Sequence, residues 1–203
     1  MQELMNITFS SFIQLIVFSI IPFVWWLFTA RKISFFKWLG LKKPIFNISV
    51  IKLVILILAI ASLYTALMAY IMNNIMPSTQ TATSQFSEKG IGALPLILIY
   101  AVIQTSLSEE IFFRGFLGKR FNHKFGFKIG NVIQAISFGL LHGIPFGIVT
   151  ENIFVLVLLV LFPGIIGWFQ GWMNEKCSSG SILPSWGLHA MMNILSGLGA
   201  ALL

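Results

Sequence analysis

The chain contains no aspartate, a single cysteine and very little charge. Without aspartate, any catalytic centre built on a pair of aspartates is excluded. With Cys177 alone no internal disulfide can form, and no histidine lies near it in sequence to activate the thiol. Charged residues make up only 9% of the 203 residues, whereas soluble domains carry about 25%. This composition cannot cover a water-facing surface, which excludes an ordinary soluble protein.

Apolar residues dominate instead, at 57% of the sequence. They fall into six runs of roughly 20 residues, a length that crosses a hydrocarbon core of about 30 Å as a helix. Backbone polar groups must be satisfied internally in lipid, so each run predicts a helix. The runs cover approximately residues 7–28, 50–72, 93–117, 129–149, 153–172 and 182–203. The predicted fold class is all-α, a polytopic transmembrane helix bundle of about six spans.

The basic residues give this bundle an orientation. With six alternating spans, twelve of the thirteen Lys and Arg residues lie on one side, and only Lys89 lies on the other. The positive-inside rule makes the basic side cytoplasmic and places both termini outside. Topology and contact with lipid headgroups therefore account for the net charge of +7 without a nucleic-acid partner. The first run has no basic n-region and no small-residue cleavage site, so we expect a retained anchor and not a signal peptide.

Ionisable groups inside a membrane are costly and usually functional. Glu109, Glu110 and Arg114 form such a cluster in the third run. Glu110 and Arg114 are four residues apart and share a helical face, so they can pair. Glu109 is rotated by about 100° and cannot use the arginine equally well. Glu110 is thus predicted to be structural and Glu109 to act as a general base or acid; the alternative is that both are solvated at the interface.

Two further clusters lie in the fourth and sixth runs. His142 follows Phe138 by one helical turn, and Asn193 follows His189 by the same interval. Taken alone, His142 fits a hydrogen-bonded core residue, and His189 with Asn193 fits a pair that holds membrane helices together. Combined with the glutamates and Arg114, they supply the groups needed to activate a water molecule and to stabilise an oxyanion.

The order EExxxR, FxxxH and HxxxN, each within a predicted membrane helix, resembles the CPBP family. This family comprises CaaX prenyl endopeptidases and bacteriocin-processing or bacteriocin-immunity proteins, also called Abi proteins. Gly180, Ser181 and Ile182 resemble the lead-in to the family's last motif. The resemblance covers about residues 91–194 and divides the chain into two parts. Residues 1–90 would hold two N-terminal transmembrane helices with a basic cytoplasmic loop, and residues 91–203 a catalytic core of four transmembrane helices.

The resemblance implies a role for each motif residue. Glu109 would activate the water, His142 would orient it or stabilise the tetrahedral oxyanion, and His189 and Asn193 would complete the site. Glu110, Arg114 and Phe138 would be structural or substrate-orienting residues.

The family also carries a metalloprotease label, and Glu109, His142 and His189 are the residues that would hold zinc if it were present. No HExxH motif occurs, so we expect no cofactor and keep zinc as the alternative.

The three proposed catalytic residues Glu109, His142 and His189 would lie at different depths in the membrane if every span were a regular helix. At 1.5 Å per residue, Glu109 and His189 lie about 12 Å from the cytoplasmic end, and His142 about 20 Å. Helix tilt, or a fourth helix that starts deeper, would bring them level. Gly143 and Pro145 are expected to end that helix early and to open a cavity.

The expected function is hydrolysis of a peptide bond in a membrane-associated peptide or lipidated protein. The substrate would be a bacteriocin or pheromone-type leader, or a CaaX-type tail. Frequent Lys, Ile, Phe and Asn are typical of a low-GC bacterium, so we expect the bacterial plasma membrane and the first substrate class. Two alternatives remain open: a non-catalytic immunity or scaffold protein, and a small transporter whose glutamates bind protons or cations.

Overall fold

The computed structural model describes residues 1–76, 79–150 and 152–202. Within these ranges the chain forms helices and no strand, which confirms the all-α class. The seven α-helices are α1 (Gln2–Thr29), α2 (Phe35–Leu39), α3 (Val50–Asn74), α4 (Leu94–Ile99), α5 (Lys119–Thr150), α6 (Ile153–Trp172) and α7 (Leu183–Leu202). Short 3-10 helices cover Ser84–Phe86 and Gly90–Ala93. Three wider π-helices cover Tyr100–Leu107, Glu110–Gly118 and Met173–Cys177.

Four helical stretches of the described residues are long and apolar enough to cross a membrane: Gln2–Thr29, Val50–Asn74, Gly90–Ile148 and Ile153–Cys177. The first, second and fourth coincide with the first, second and fifth predicted runs. The third has 59 residues, about 88 Å at 1.5 Å per residue, and contains both the third and the fourth runs. Helix α7 carries the sixth run and is long enough to cross a membrane. Its polar side chains make it less apolar than the four stretches above, so it is not counted among them. The last residue of that run, 203, lies outside the described residues.

The loop predicted between the third and fourth runs is helical, which corrects the sequence interpretation. Helix α5 begins at Lys119 and is interrupted only at Gly126, which has φ 75° and ψ 161°. That positive φ is readily available only to glycine. At Gly130 a side chain would collide with the backbone at Asn122, so the two arms of α5 fold against each other.

The expectation that Gly143 and Pro145 end the fourth helix is wrong. Helix α5 continues through both residues to Thr150. Gly143 serves packing instead, because a side chain there or at Gly139 would collide with Val160 of α6. Closely spaced glycines that admit a neighbouring backbone are characteristic of membrane helix pairs. Proline within such helices is tolerated where neighbouring groups satisfy the freed backbone.

The chain forms two compact units, which are described separately. Unit 1 comprises residues Met1–Ile21, Ile48–Glu109 and Trp186–Leu203, and unit 2 comprises Pro22–Asn47 and Glu110–Ser185. The two units alternate along the chain, and one of the four boundaries between them falls between the adjacent residues Glu109 and Glu110. The functional division predicted at residue 90 stays a prediction.

Unit 1 is built around an apolar cluster that joins α1, α4 and α7. Ile7, Phe86, Ile97 and Ala201 lie in it, together with Tyr100 at the start of the first π-helix. The rings of Phe86 and Tyr100 meet edge to face with centroids 5.4 Å apart. This cluster fixes α7 beside the π-helical segment that leads to Glu109.

Unit 2 is held together by the α5–α6 pair and by an extended segment after α2. Ile182 N donates to Gly40 O at 2.9 Å, and Asn47 N donates to Cys177 O at 2.9 Å. Ser181 Oγ donates to Lys42 O at 2.6 Å. These bonds satisfy backbone groups in the segment just before α7. The sequence analysis identified this segment only as the residues that precede the HxxxN motif.

Candidate active site

Glu109 lies on a short α-helical turn between two π-helices. The first, Tyr100–Leu107, belongs to unit 1, and the second begins at Glu110 in unit 2. π-Helical turns hold more residues than α-helical turns and are frequent at functional sites. They alter which side chains share a helical face. A period of 3.6 residues, as assumed in the sequence analysis, therefore cannot predict every neighbour of Glu109.

In unit 1, Glu109 lies beside His189 of α7. Glu109 Oε2 and His189 Nε2 are 3.7 Å apart, and the two residues are 9% and 5% exposed. They form an ion pair only when the imidazole is protonated. A buried carboxylate next to an imidazole can accept a proton from water and can exchange it with a second group. Sequence spacing could not establish this contact, because the residues are 80 positions apart.

Asn193 is held by two hydroxyl groups of the first π-helix. Its Nδ2 donates to Thr105 Oγ1 at 2.8 Å and to Ser106 Oγ at 3.1 Å. Thr105 Oγ1 in turn donates to the carbonyl of Tyr100 at 3.1 Å. Both N–H groups of the amide are therefore engaged, and an oxyanion role would require one of these bonds to be exchanged during the reaction. Thr105 and Ser106 were missed in the sequence.

Two tyrosines of unit 1 also belong to the electrostatic surroundings of Glu109. Tyr64 of α3 and Tyr100 lie within electrostatic reach of the Glu109 carboxylate. Trp186 Nε1 donates to the carbonyl of Val102 at 2.8 Å and so ties α7 to the π-helix. Helix α3, which matched no motif in the sequence, thus contributes a side chain to the surroundings of the carboxylate.

In unit 2, Glu110 and Arg114 form the ion pair that their spacing predicts. Arg114 Nη1 lies 3.3 Å from Glu110 Oε1, and Arg114 and Glu110 are 3% and 0% exposed. Ser185 Oγ donates to Glu110 Oε2 at 2.5 Å, and Gln170 Nε2 donates to Glu110 Oε1 at 3.2 Å. Both carboxylate oxygens of Glu110 are therefore occupied by donors.

Further polar side chains complete this buried network. Arg114 donates from Nη2 to Gln170 Oε1, and Asn174 Nδ2 donates to Ser185 Oγ at 2.7 Å. Gln170, Asn174 and Ser185 were overlooked in the sequence. The first two are four residues apart near the end of the fifth apolar run, and the spacing argument applied to the other clusters would have found them.

Phe138 connects Arg114 with His142. The Arg114 guanidinium carbon lies 3.9 Å from the Phe138 ring centroid, a cation–π contact. The rings of Phe138 and His142 are 4.2 Å apart, and His142 Nδ1 lies 2.9 Å from the Phe138 carbonyl oxygen. Because a carbonyl oxygen only accepts, the contact assigns the proton to Nδ1 and presents Nε2 as the acceptor of the neutral ring.

The sequence-derived residues thus fall into two groups. Unit 1 brings together Glu109, His189 and Asn193. Unit 2 brings Glu110 and Arg114 together with a chain of contacts that leads through Phe138 to His142.

The donor set for a metal is incomplete within each unit. In neither unit do the described residues include three or more His, Cys, Asp or Glu side chains placed to hold an ion. Of the three residues that would hold zinc, Glu109 and His189 belong to unit 1 and His142 belongs to unit 2.

Comparison with known proteins gives one match. The family model described as Type II CAAX prenyl endopeptidase Rce1-like matches residues 91–195, which are 105 of the 203 residues. No curated protein and no solved structure matches the chain. The matched range contains all three motifs and every hydrogen bond and ion pair described above in unit 1. The chain therefore belongs to the Type II CAAX prenyl endopeptidase Rce1-like family and is an integral membrane protease.

Proposed function

We propose that the chain hydrolyses a peptide bond of a membrane-associated substrate by means of a water molecule activated by Glu109. The observation that carries the proposal is the buried Glu109–His189 pair, 3.7 Å apart, within the range matched by the family model. Water attacks the scissile carbonyl carbon and gives one proton to the Glu109 carboxylate. That proton passes to the leaving nitrogen as the C–N bond breaks, which releases a carboxylic acid and an amine; the acid then gives its proton to the amine or to water.

The two histidines interact with the oxygen atoms of the attacking water and of the developing oxyanion. His189, beside Glu109, orients the water and donates to the developing oxyanion when it is protonated. His142 provides a second ring, whose orientation depends on Phe138 and, through it, on Arg114. A preorganised donor of this kind contributes about 2.7 to 4 kcal/mol to transition-state stabilisation.

Asn193 assists from α7, and its position depends on Thr105 and Ser106. The amide either exchanges one of these bonds for the oxyanion or keeps His189 in place one helical turn away. Glu110 and Arg114 take no part in proton transfer, because their polar atoms hold Gln170 and Ser185 in the buried network.

The substrate is a peptide or lipidated protein held at the membrane. The matched family description supports a CaaX-type prenylated tail. The composition of the chain favours a bacterial bacteriocin or pheromone leader.

The site opens towards the cytoplasm if both termini lie outside, as the twelve-to-one split of basic residues suggests. Single cysteines at Thr83 and His123 test this orientation in the background of a Cys177→Ser chain. A membrane-impermeant thiol reagent should label position 83 from outside and position 123 only from inside. The reverse pattern would contradict the proposed orientation.

The decisive experiment compares peptide termini in membranes from cells with the wild-type chain and with Glu109→Gln. Glu88→Gln is the matched control, because Glu88 is exposed and the substitution is chemically identical. Termini that disappear in Glu109→Gln but persist in Glu88→Gln identify the substrate. Identical termini in all three samples, at equal abundance of the chain, would contradict the protease role of Glu109 and favour a scaffold or immunity protein.

A further inference from the structure

An open groove lies in unit 2 beside the chain reversal at Gly126. Its volume is about 830 Å³. Aromatic and basic side chains line it: Phe125, Phe127, Lys128, Trp168, Trp172 and Lys176. We refer to this feature as the hairpin groove. None of these residues takes part in the network of Glu110 and Arg114, so the groove is distinct from that buried network.

Two elements form the walls of the hairpin groove. Trp168, Trp172 and Lys176 follow one another at four-residue intervals along α6 and the π-helix after it, so they share one face. The turn at Gly126 presents Phe127 from α5 opposite that face. Lys176 Nζ lies 4.6 Å from the Phe127 ring centroid, a cation–π contact that joins the two walls.

The charge of the hairpin groove is positive and is not balanced locally. Its lining residues include two lysines, Lys128 and Lys176, and no carboxylate. The neighbouring carboxylate, Glu175, is bound to Lys119 at 3.1 Å. Lys124 adds a further positive charge beside Phe125, 5.2 Å from its ring centroid. The groove therefore favours an anion that also has an apolar portion.

The position of the hairpin groove indicates where this anion comes from. Lysines at a chain reversal between apolar helices lie at the level of the lipid headgroups, where Trp side chains are also enriched. Trp168 is 41% exposed and Ile129 is 58% exposed, and both offer surface to an acyl chain. Inorganic phosphate could use the lysines but would leave this apolar wall without a partner.

We propose that the hairpin groove is a binding site for an anionic phospholipid. The phosphodiester contacts Lys128 and Lys176, and one acyl chain lies against Trp168 and Trp172. At about 1 kcal/mol for each lysine near an anionic lipid, loss of both should weaken binding about thirtyfold.

Native mass spectrometry of the full chain in detergent tests the site. The probes are phosphatidylglycerol, phosphatidylcholine with the same acyl chains, and inorganic phosphate as a competitor. Wild-type protein should retain phosphatidylglycerol in preference to phosphatidylcholine, and millimolar phosphate should not displace it. K128Q/K176Q should lose this preference, and K128R/K176R should keep it.

The matched control is K32Q/K43Q, which removes two exposed lysines outside the groove and changes the net charge equally. It should bind phosphatidylglycerol as the wild type does. An equal loss in this control would attribute the preference to net charge and overturn the proposal. Displacement by phosphate would assign the groove to a free anion, and a wild type without preference would also overturn it. Helical content by circular dichroism shows that each variant is folded.

Discussion

Replacement of Arg114 by methionine should destabilise the chain more than loss of the proposed catalytic base. Methionine keeps much of the side-chain volume but leaves Glu110 charged, 0% exposed and without its cation. Breaking a buried ion pair by removal of one partner costs about 3 to 5 kcal/mol. The contact with Phe138 contributes about a further 0.5 to 2 kcal/mol.

The assay is thermal unfolding in detergent with wild type, Arg114→Met, Glu110→Gln and Glu109→Gln. For a chain of this size, 1 kcal/mol corresponds to about 2 to 4 °C in Tm. Arg114→Met, at about 3.5 to 7 kcal/mol in total, should therefore lower Tm by about 7 to 28 °C, and Glu110→Gln should also lower it. Glu109→Gln should unfold near the wild-type temperature and should lose cleavage.

A double variant tests the pairing itself. Glu110→Leu combined with Arg114→Met removes both charges, so its destabilisation should be smaller than the sum of the effects of Glu110→Leu and Arg114→Met, each measured as a single variant. It should not be zero, because Gln170 and Ser185 lose partners at about 1 to 3 kcal/mol each. Equal loss of Tm in Arg114→Met and Glu109→Gln would show that the structural and catalytic glutamates have been assigned in the wrong order.

The remaining predictions concern catalysis. Glu109→Gln, His142→Ala and His189→Ala should each abolish cleavage. Variants with two of these substitutions should lose no more kcat than the single variants, because groups that act as a unit are non-additive. If the losses in kcat multiplied in the double variants, the three residues would not act on the same water molecule. Asn193→Ala should lose roughly 10²- to 10³-fold in kcat, Thr105→Val should reproduce this loss with little change in KM, and Thr105→Ser should recover it. Elemental analysis should find no stoichiometric zinc, and a strong chelator should leave cleavage intact; zinc that disappears in both histidine variants would contradict this expectation.

Local spacing was sufficient for the contacts within a helix. Glu110 with Arg114, and Phe138 with His142, are each four residues apart and are in contact. An α-helix places such residues on one face, and Glu110 and Arg114 remain in contact although their segment is a π-helix. The proximity of Glu109 to His189 is different, because tertiary packing determines it. The sequence indicated it only through the family resemblance.

The wrong predictions have physical causes. The basic stretch after residue 117 suggested a loop, yet lysine, arginine and phenylalanine are compatible with helix, and only Gly126 interrupts it. Gly143 and Pro145 suggested a helix end, but packing against α6 requires the glycine and maintains the helix. The π-helices could not be foreseen from an assumed 3.6-residue period, and Thr105 and Ser106 were missed.

The two adjacent glutamates differ in the contacts that each would have to weaken in order to accept a proton. For Glu110 to accept a proton from water, it would have to weaken its contacts with Arg114, Gln170 and Ser185. Each hydrogen bond lost in a buried site costs about 1 to 3 kcal/mol. Glu109 instead lies 3.7 Å from the imidazole of His189, a side chain that commonly serves as a general acid or base. The same helical stretch thus provides a carboxylate that stabilises unit 2 and, one residue earlier, a carboxylate suited to proton transfer.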